Sequence, residues 1–260
     1  MKIFGSSCRK GFFMRRFFTE PENISGNIAY IFEDSGHIKK VLRMETGEKV
    51  LIFDGTGYEY TAELTAVEKD RCTARIVGRE FSAAEPDVKI SLFQCLPKAG
   101  KMETIIQKAV ELGVYEIIPV ASERCVVRLD GKAAEEKVKR WRRVSVEAVK
   151  QCGRGIVPKV HMPVGFGVAT ELLRGFDVPL MPYENLGHEG KHGLREVLNS
   201  NSDSKRIGIL VGPEGGFSDK EAEIASENGL FMIGLGKRIL RTETVASALI
   251  PIIMYSRNEL

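Results

Sequence analysis

Ile209-Leu-Val-Gly-Pro-Glu-Gly-Gly-Phe217 and Leu235-Gly-Lys-Arg-Ile-Leu-Arg-Thr-Glu-Thr244 decide how this sequence reads. Each closes an apolar run that stops abruptly at glycine, the pattern of a buried strand ending in a turn that needs backbone freedom. Between them Ser218-Asp-Lys-Glu221 has the Ser-x-x-Glu form of a capping box, so a helix is predicted to start there. After them Val245 to Tyr255 predicts an apolar helix with Pro251 inside it. Two glycine turns at the ends of adjacent buried strands make a place where backbone, rather than side chains, meets a ligand.

Working outward, the same strand–helix alternation continues upstream. Val88 to Cys95, Tyr115 to Val120, Val178 to Met181, Arg206 to Val211 and Leu230 to Leu235 read as strands. Lys101 to Leu112 and Lys132 to Lys150 read as helices. This alternation predicts an α/β fold with a mostly parallel sheet covered on both faces. Before Pro86 the period changes to two. Lys49 to Phe53, Tyr58 to Val67 and Cys72 to Val77 are short alternating strands, with Asp54-Gly-Thr-Gly57 as a turn between the first two. A short helix over His37 to Met44 interrupts this meander, which predicts a small barrel. Ser82-Ala-Ala-Glu-Pro86 reads as the linker between the two parts. Residues 1–13 lack the apolar core and cleavage site of a signal peptide. They are expected to be a dispensable extension, with Met14 as the natural start.

Composition excludes several classes. No apolar run is long enough to span a membrane. The five cysteines are odd in number, far apart and never Cys-x-x-Cys, which argues against a disulfide framework or a cysteine zinc cage and for a reducing cytoplasm. The net charge of +3 says little, but its distribution is uneven. Residues 98–159 carry fourteen Lys/Arg against eight Asp/Glu, and residues 161–204 carry three against six. A basic segment beside an acidic one fits a local polyanion footprint, and equally a solvated basic helix.

Three motifs are candidates for chemistry. His188-Glu-Gly-Lys-His192 matches the zinc-protease string, which needs both histidines on one helical face. Gly187, Gly190 and Gly193 recur every third residue, each costing about 1 kcal/mol of helix propensity relative to Ala. The string therefore reads as a loop, and no metal is expected. Gly212-Pro-Glu-Gly-Gly216 has neither the phosphate-loop nor the dinucleotide spacing. Glu214 would oppose a polyphosphate and suits a cationic or neutral ligand. A purely structural turn and a ligand cradle remain equally open on pattern alone. Arg241, Arg124 and Arg154 lie at the ends of predicted elements, where an exposed cation is the ordinary reading.

Taken together, Leu210-Val-Gly-Pro-Glu-Gly-Gly-Phe217 and Leu235-Gly-x-Arg-Ile-Leu-Arg-Thr-Glu-Thr244 resemble the RsmE family of 16S ribosomal RNA uracil-N3 methyltransferases, in the SPOUT superfamily. Supporting matches are Lys101-Met-Glu with Ile106-Gln-Lys-Ala-Val-Glu-Leu-Gly113, Ser122-Glu-Arg-Cys125 and Gln151-Cys-Gly-Arg154. His37-Ile-Lys-Lys-Val-Leu-Arg43 and Phe53-Asp-Gly55 are similar to the family's RNA-binding N-terminal domain. The resemblance implies a PUA-like β-barrel over residues 14–84 and a SPOUT-type methyltransferase domain with a C-terminal trefoil knot over residues 87–260. Related knotted enzymes acting on transfer RNA, and a non-catalytic ribosome assembly factor, are the competing readings.

By the same resemblance S-adenosyl-L-methionine would be enclosed by Met181, Gly212, Pro213, Glu214, Gly215, Gly216, Leu235, Gly236, Ile239, Leu240 and Thr244. Arg241, Arg124 and Arg154 would hold the uracil anion, Glu243 would serve as the base, and Glu214 or Glu243 would face the sulfonium's positive charge. Arg15, Arg16, Lys39, Lys40, Arg43, Lys137, Arg140 and Arg143 are expected phosphate contacts. The implied partners are 16S ribosomal RNA or the small ribosomal subunit, and a second copy of the chain in a homodimer; no membrane partner is expected.

Overall fold

The computed structural model describes residues 14–98, 100–183 and 193–260. The chain divides into two compact units. One comprises residues 14–83 with Arg154–Ile156, the other Ala84–Gly153 with Val157–Leu260.

The first unit contains β1 (Arg16–Phe18), β2 (Ile24–Ser25), β3 (Ile28–Ile31), α1 (Ser35–His37), β4 (Lys49–Phe53), β5 (Tyr58–Val67) and β6 (Cys72–Phe81). They form one six-stranded sheet in the order β1-β4-β5-β6-β3-β2. Only β1 and β4 pair in parallel. Alternation puts Val50, Ile52, Ala62 and Leu64 on the inner face with Phe17, Ile31 and Ile38, and this is the unit's core. The predicted helix over His37 to Met44 is shorter and wider. A π-helical turn, Ile38–Leu42, follows α1 and stops at Arg43, whose φ of 51° is left-handed. Lys39, Lys40 and Arg43 are exposed on it.

The predicted turn after β4 is built around a buried carboxylate. Asp54 accepts hydrogen bonds from the Thr56 amide (2.8 Å), the Thr56 hydroxyl (2.7 Å) and the Tyr60 hydroxyl (2.8 Å). At its end Gly57 has φ 108°, and a Cβ there would strike the Phe81 ring. The Gly57 amide donates to the Gly155 carbonyl at 3.2 Å, and Gly55 and Thr56 bridge to Ile156. A segment from the middle of the chain thus completes this unit. No local pattern in the sequence announces it.

The second unit alternates strands and helices: β7 (Lys89–Cys95), α2 (Lys101–Glu111), β8 (Glu116–Ala121), α3 (Gly131–Cys152), β9 (Lys159–Val160), β10 (Val164–Gly165), α4 (Phe166–Leu173), β11 (Val178–Pro182), α5 (Leu194–Ser200), β12 (Arg206–Val211), α6 (Asp219–Glu227), β13 (Phe231–Ile233) and α7 (Thr242–Ser256). The main path of the sheet is β10-β8-β7-β12-β11-β13, with β9 also paired to β8, and every pair is parallel. The central strands β7 and β12 are buried almost throughout, as a sheet covered on both faces requires. Gly208 lies in the middle of β12, where a Cβ would collide with Leu173 of α4. Its absence lets that helix lie close against the sheet.

The strand order places β11 between β12 and β13, so the turns that follow β12 and β13 flank the end of β11. The capping box is present: the Ser218 hydroxyl accepts from the Glu221 amide, and the Glu221 carboxylate accepts from the Ser218 amide. The last helix begins at Thr242, three residues before the predicted Val245, with Arg241 as its N-cap.

Candidate active site

A cleft of about 260 Å³ opens where β11, β12 and β13 end. One wall is the turn after β12, with Gly212, Pro213, Gly216 and Phe217. The other is the loop after β13, with Leu235, Gly236, Ile239 and Leu240. Pro182 and Tyr183 from the end of β11 form the floor between them, and Thr242 and Val245 of α7 close the back. Gly216 (φ 64°) and Gly236 (φ 90°) take left-handed backbone in the two walls, which explains glycine at each. Among the described residues no carboxylate lines the cleft, whereas Lys237 and Arg238 do.

The turn after β12 is held by contacts distant in sequence. The Thr242 hydroxyl donates to the Gly212 carbonyl at 2.7 Å and accepts from the fully buried Gln94 amide at 2.9 Å. Gln94 also donates to the Cys95 carbonyl at 3.0 Å. Strand β7, the glycine turn and helix α7 are therefore pinned at one point. Thr242→Val keeps the shape and removes the hydroxyl, leaving Gly212 without this donor. The expected cost is about 1–3 kcal/mol, read as a melting point lowered by roughly 3–10 °C. An unchanged melting curve would show the chain to be dispensable.

The loop after β8 reaches the same turn. Glu123 receives the Ser218 hydroxyl on its carboxylate (2.8 Å) and gives its amide to Glu221 (2.8 Å), fixing the loop to the start of α6. Arg124 then donates from Nη1 to the Gly215 carbonyl at 2.9 Å. Two motifs some ninety residues apart meet here.

Lys101, the first residue of α2, is the third tie. Its ammonium lies 3.0 Å from the Glu214 carboxylate and 3.2 Å from that of Glu243. Glu214 also accepts from the Lys98 amide. Hydrogen bonds that the ammonium donates to both carboxylates push the lysine above its ordinary range. Burial acts upward on Glu214, but Lys101 and backbone amides hold it below the usual carboxylate range. Glu243 is held low first by its own helix-terminal amide, against burial, and then by Lys101 and Arg241. A carboxylate with a depressed folded-state pKa stabilises the fold above its unfolded pKa, and that contribution disappears as pH falls through the folded value. Lys101→Met is therefore expected to move acid unfolding to higher pH, a shift that circular dichroism against pH would read.

Of the sequence-predicted cofactor residues, Gly212, Pro213, Gly216, Leu235, Gly236, Ile239 and Leu240 line the cleft. Met181 does not. It is fully buried inside β11, an inner strand between β12 and β13 that is buried from Val178 to Met181, and Pro182 and Tyr183 stand at the cleft instead. Glu214, Gly215 and Thr244 are exposed outside the lining, Glu214 being drawn away by Lys101. Arg241 is exposed between the lining residues Leu240 and Thr242. Arg154 belongs to the first unit and is 4% exposed, and its burial removes it from the candidates for a substrate contact. Sequence reasoning missed Gln94, Tyr183 and Thr242, for which only an ordinary polar residue near a strand or helix end was visible.

Among the expected phosphate contacts, Arg15, Lys39, Lys40, Arg43, Lys137 and Arg143 are exposed. Arg16 is not available: it donates to Glu59 at 2.6 Å and to the Arg154 carbonyl at 2.8 Å, and lies over the Phe53 ring. Arg140 is exposed but paired to Glu103 at 3.0 Å. Among the described residues no group of three or more His, Cys, Asp or Glu is placed to hold a metal ion. The His188–His192 string lies outside them. No helix among the described residues is long and apolar enough to cross a membrane, and Cys72, Cys95, Cys125 and Cys152 are free thiols.

Comparison with known proteins decides the family. An RNA methyltransferase domain model matches residues 84–254, and an RNA methyltransferase PUA domain model matches residues 33–77. Ribosomal RNA small subunit methyltransferase E of Bacillus subtilis is 34% identical over 236 residues, covering 89% of this chain and 92% of that protein. The chain belongs to the ribosomal RNA small subunit methyltransferase E family. The methyltransferase E of Aquifex aeolicus is 29% identical over 93% of this chain and 99% of its own length. A crystal structure of the methyltransferase E of Neisseria gonorrhoeae bound to S-adenosyl methionine superposes with a TM-score of 0.82. It is 35% identical and covers 93% of this chain and 97% of that one. Methyltransferase E is the RsmE family on which the two glycine motifs converge.

Proposed function

We propose that this protein transfers a methyl group from S-adenosyl-L-methionine to N3 of a uridine in 16S ribosomal RNA. The observation that carries the reading is the cleft itself, made of two glycine turns at the carboxyl ends of parallel strands in a methyltransferase E chain. Its residues fit the cofactor. Glycines at 212, 216, 234 and 236 let a ligand approach the backbone, and Phe217, Ile233, Leu240 and Val245 offer apolar walls for an adenosyl group. Among the described residues no carboxylate is in the lining, and Glu214 and Glu243 pair with Lys101 beside it. When bound, the cofactor supplies an electrophilic methyl group.

The chain's own residues must position uracil and favour its anion, since N3 is a poor nucleophile while protonated. Arg241 at the rim of the cleft and Arg124 beside the Gly215 carbonyl are the proposed cations for the uracil oxygens. Arg15, Lys39, Lys40, Arg43, Lys137 and Arg143 are the proposed phosphate contacts. They position RNA without reading sequence and make binding salt-dependent.

The remaining proposals are residues 14–84 and 87–260 as the domains, a threaded C-terminal knot supported by the β7-β12-β11-β13 order, a homodimer and a cytoplasmic setting. The test is incubation with S-adenosylmethionine and undermethylated small subunits or bare 16S RNA. Nucleoside mass spectrometry is expected to show 3-methyluridine, and its absence from both substrates would overturn the reading.

A further inference from the structure

We propose that Lys101 is a positioning residue that sets the width of the cofactor cleft, holding the glycine turn to the first turn of α7 through Glu214 and Glu243. The inference rests on the cleft being the S-adenosylmethionine site.

Three elements meet at this ammonium. Glu214 sits inside the Gly212–Gly216 turn, and Glu243 is the second residue of α7. Lys101 opens α2, directly after Gly100, whose left-handed φ of 70° turns the chain into the helix. One cation therefore joins the wall that follows β12 to the helix that closes the back of the cleft, while its own helix packs against α7. The Lys98 amide adds a second bond to Glu214 from the same side. Each carboxylate is about a quarter exposed and Lys101 30% exposed, so the cluster is neither a loose surface pair nor a sealed core charge. Without Lys101 the two glutamates would repel one another across the junction between the glycine turn and α7, and that turn would move away from the helix that closes the back of the cleft.

The same geometry changes the role of Glu243. A general base must be free to take a proton at working pH. Glu243 is ion-paired, lies outside the cleft lining and has its acidity increased. It is a strut in this arrangement, as is Glu214. Proton loss from N3 then depends on cations that favour the uracil anion.

The arms of the test are Lys101→Met, Lys101→Arg and Glu243→Gln in the full-length protein. Cofactor binding is read by calorimetry, and methylation by steady-state kinetics with varied cofactor and saturating RNA. Lys101→Met is expected to weaken S-adenosylmethionine binding, and to raise its KM, by about tenfold while kcat stays within about threefold. Lys101→Arg is expected to recover most of the loss. Glu243→Gln keeps a hydrogen-bond acceptor for Lys101, so its expected effect is a smaller rise in KM with kcat unchanged. Unchanged cofactor affinity in Lys101→Met would overturn the proposal. So would a large fall in kcat at unchanged KM in Glu243→Gln, which would restore Glu243 as the base. If Lys101→Met does not fold, Lys101→Arg and Glu243→Gln still decide, because both retain a folded junction with altered geometry. Failure of the unsubstituted protein to bind S-adenosylmethionine would count against the cofactor assignment, a result separable from any difference between variants.

Discussion

Arg241→Ala is expected to lower the methylation rate at saturating RNA and cofactor by about 10²–10³-fold, the effect of removing one preorganised group that stabilises a developing anion. Cofactor affinity is expected to change by less than about threefold, since Arg241 flanks the cleft without lining it. The structure makes this a clean substitution. Arg241 starts α7 through its backbone carbonyl, which accepts the amides of Thr244 (2.8 Å) and Val245 (3.2 Å), and its side chain makes no capping hydrogen bond. Truncating the side chain leaves the helix start in place. Single-turnover rates with calorimetric cofactor binding separate the two quantities. A rate within threefold of the unsubstituted protein would remove Arg241 from the chemistry.

Gly216→Val is expected to abolish cofactor binding, with affinity lowered by at least about 100-fold. Gly216 closes the turn by donating its amide to the Pro213 carbonyl at 3.0 Å, at a φ of 64°. A β-branched residue is a genuine outlier there, and holding it costs of order 1–3 kcal/mol. Gly216 also lines the cleft, so added bulk there acts on the site itself. The turn must therefore either flatten or fill the site, and both outcomes remove the cradle. Gly216→Ala should fall between, because it keeps the strain and adds only one methyl. Affinity within threefold of the original in Gly216→Val would show that the ligand lies elsewhere.

The two arginines that the sequence grouped with Arg241 have separate fates, and the difference is instructive. Arg124 reaches Gly215 because Glu123 fastens its loop to the start of α6. Arg154 follows α3 through Gly153, left-handed at φ 84°, and its segment belongs to the first unit, where it is bound to the Gly55–Gly57 turn. Both stand just after a predicted element with a similar local composition. Nothing within ten residues of either distinguishes the exposed arginine at the glycine turn from the buried one.

Local chemistry was legible in the sequence wherever the chain's own period or capping imposed it. Unbroken apolar runs marked β7 and β12, period-two alternation marked β4 and β5, and Ser218 with Glu221 marked the start of α6. The glycines at 212, 216 and 236 marked turns that needed no Cβ. Those features depend on neighbours a few residues apart, so one dimension contains them. The tertiary structure alone decided what the turns are fastened to: Thr242 with Gln94 behind Gly212, Lys101 between Glu214 and Glu243, and Arg124 at Gly215. It also turned Met181 into the core, committed Arg16 to Glu59 and joined Arg154–Ile156 to the first unit. The physical reason is strand order. Placing β12 between β7 and β11 brings residues from α2, β7, the β8 loop and α7 together at the carboxyl ends of the central strands, and a side chain's partner there is set by that juxtaposition rather than by its neighbours in sequence.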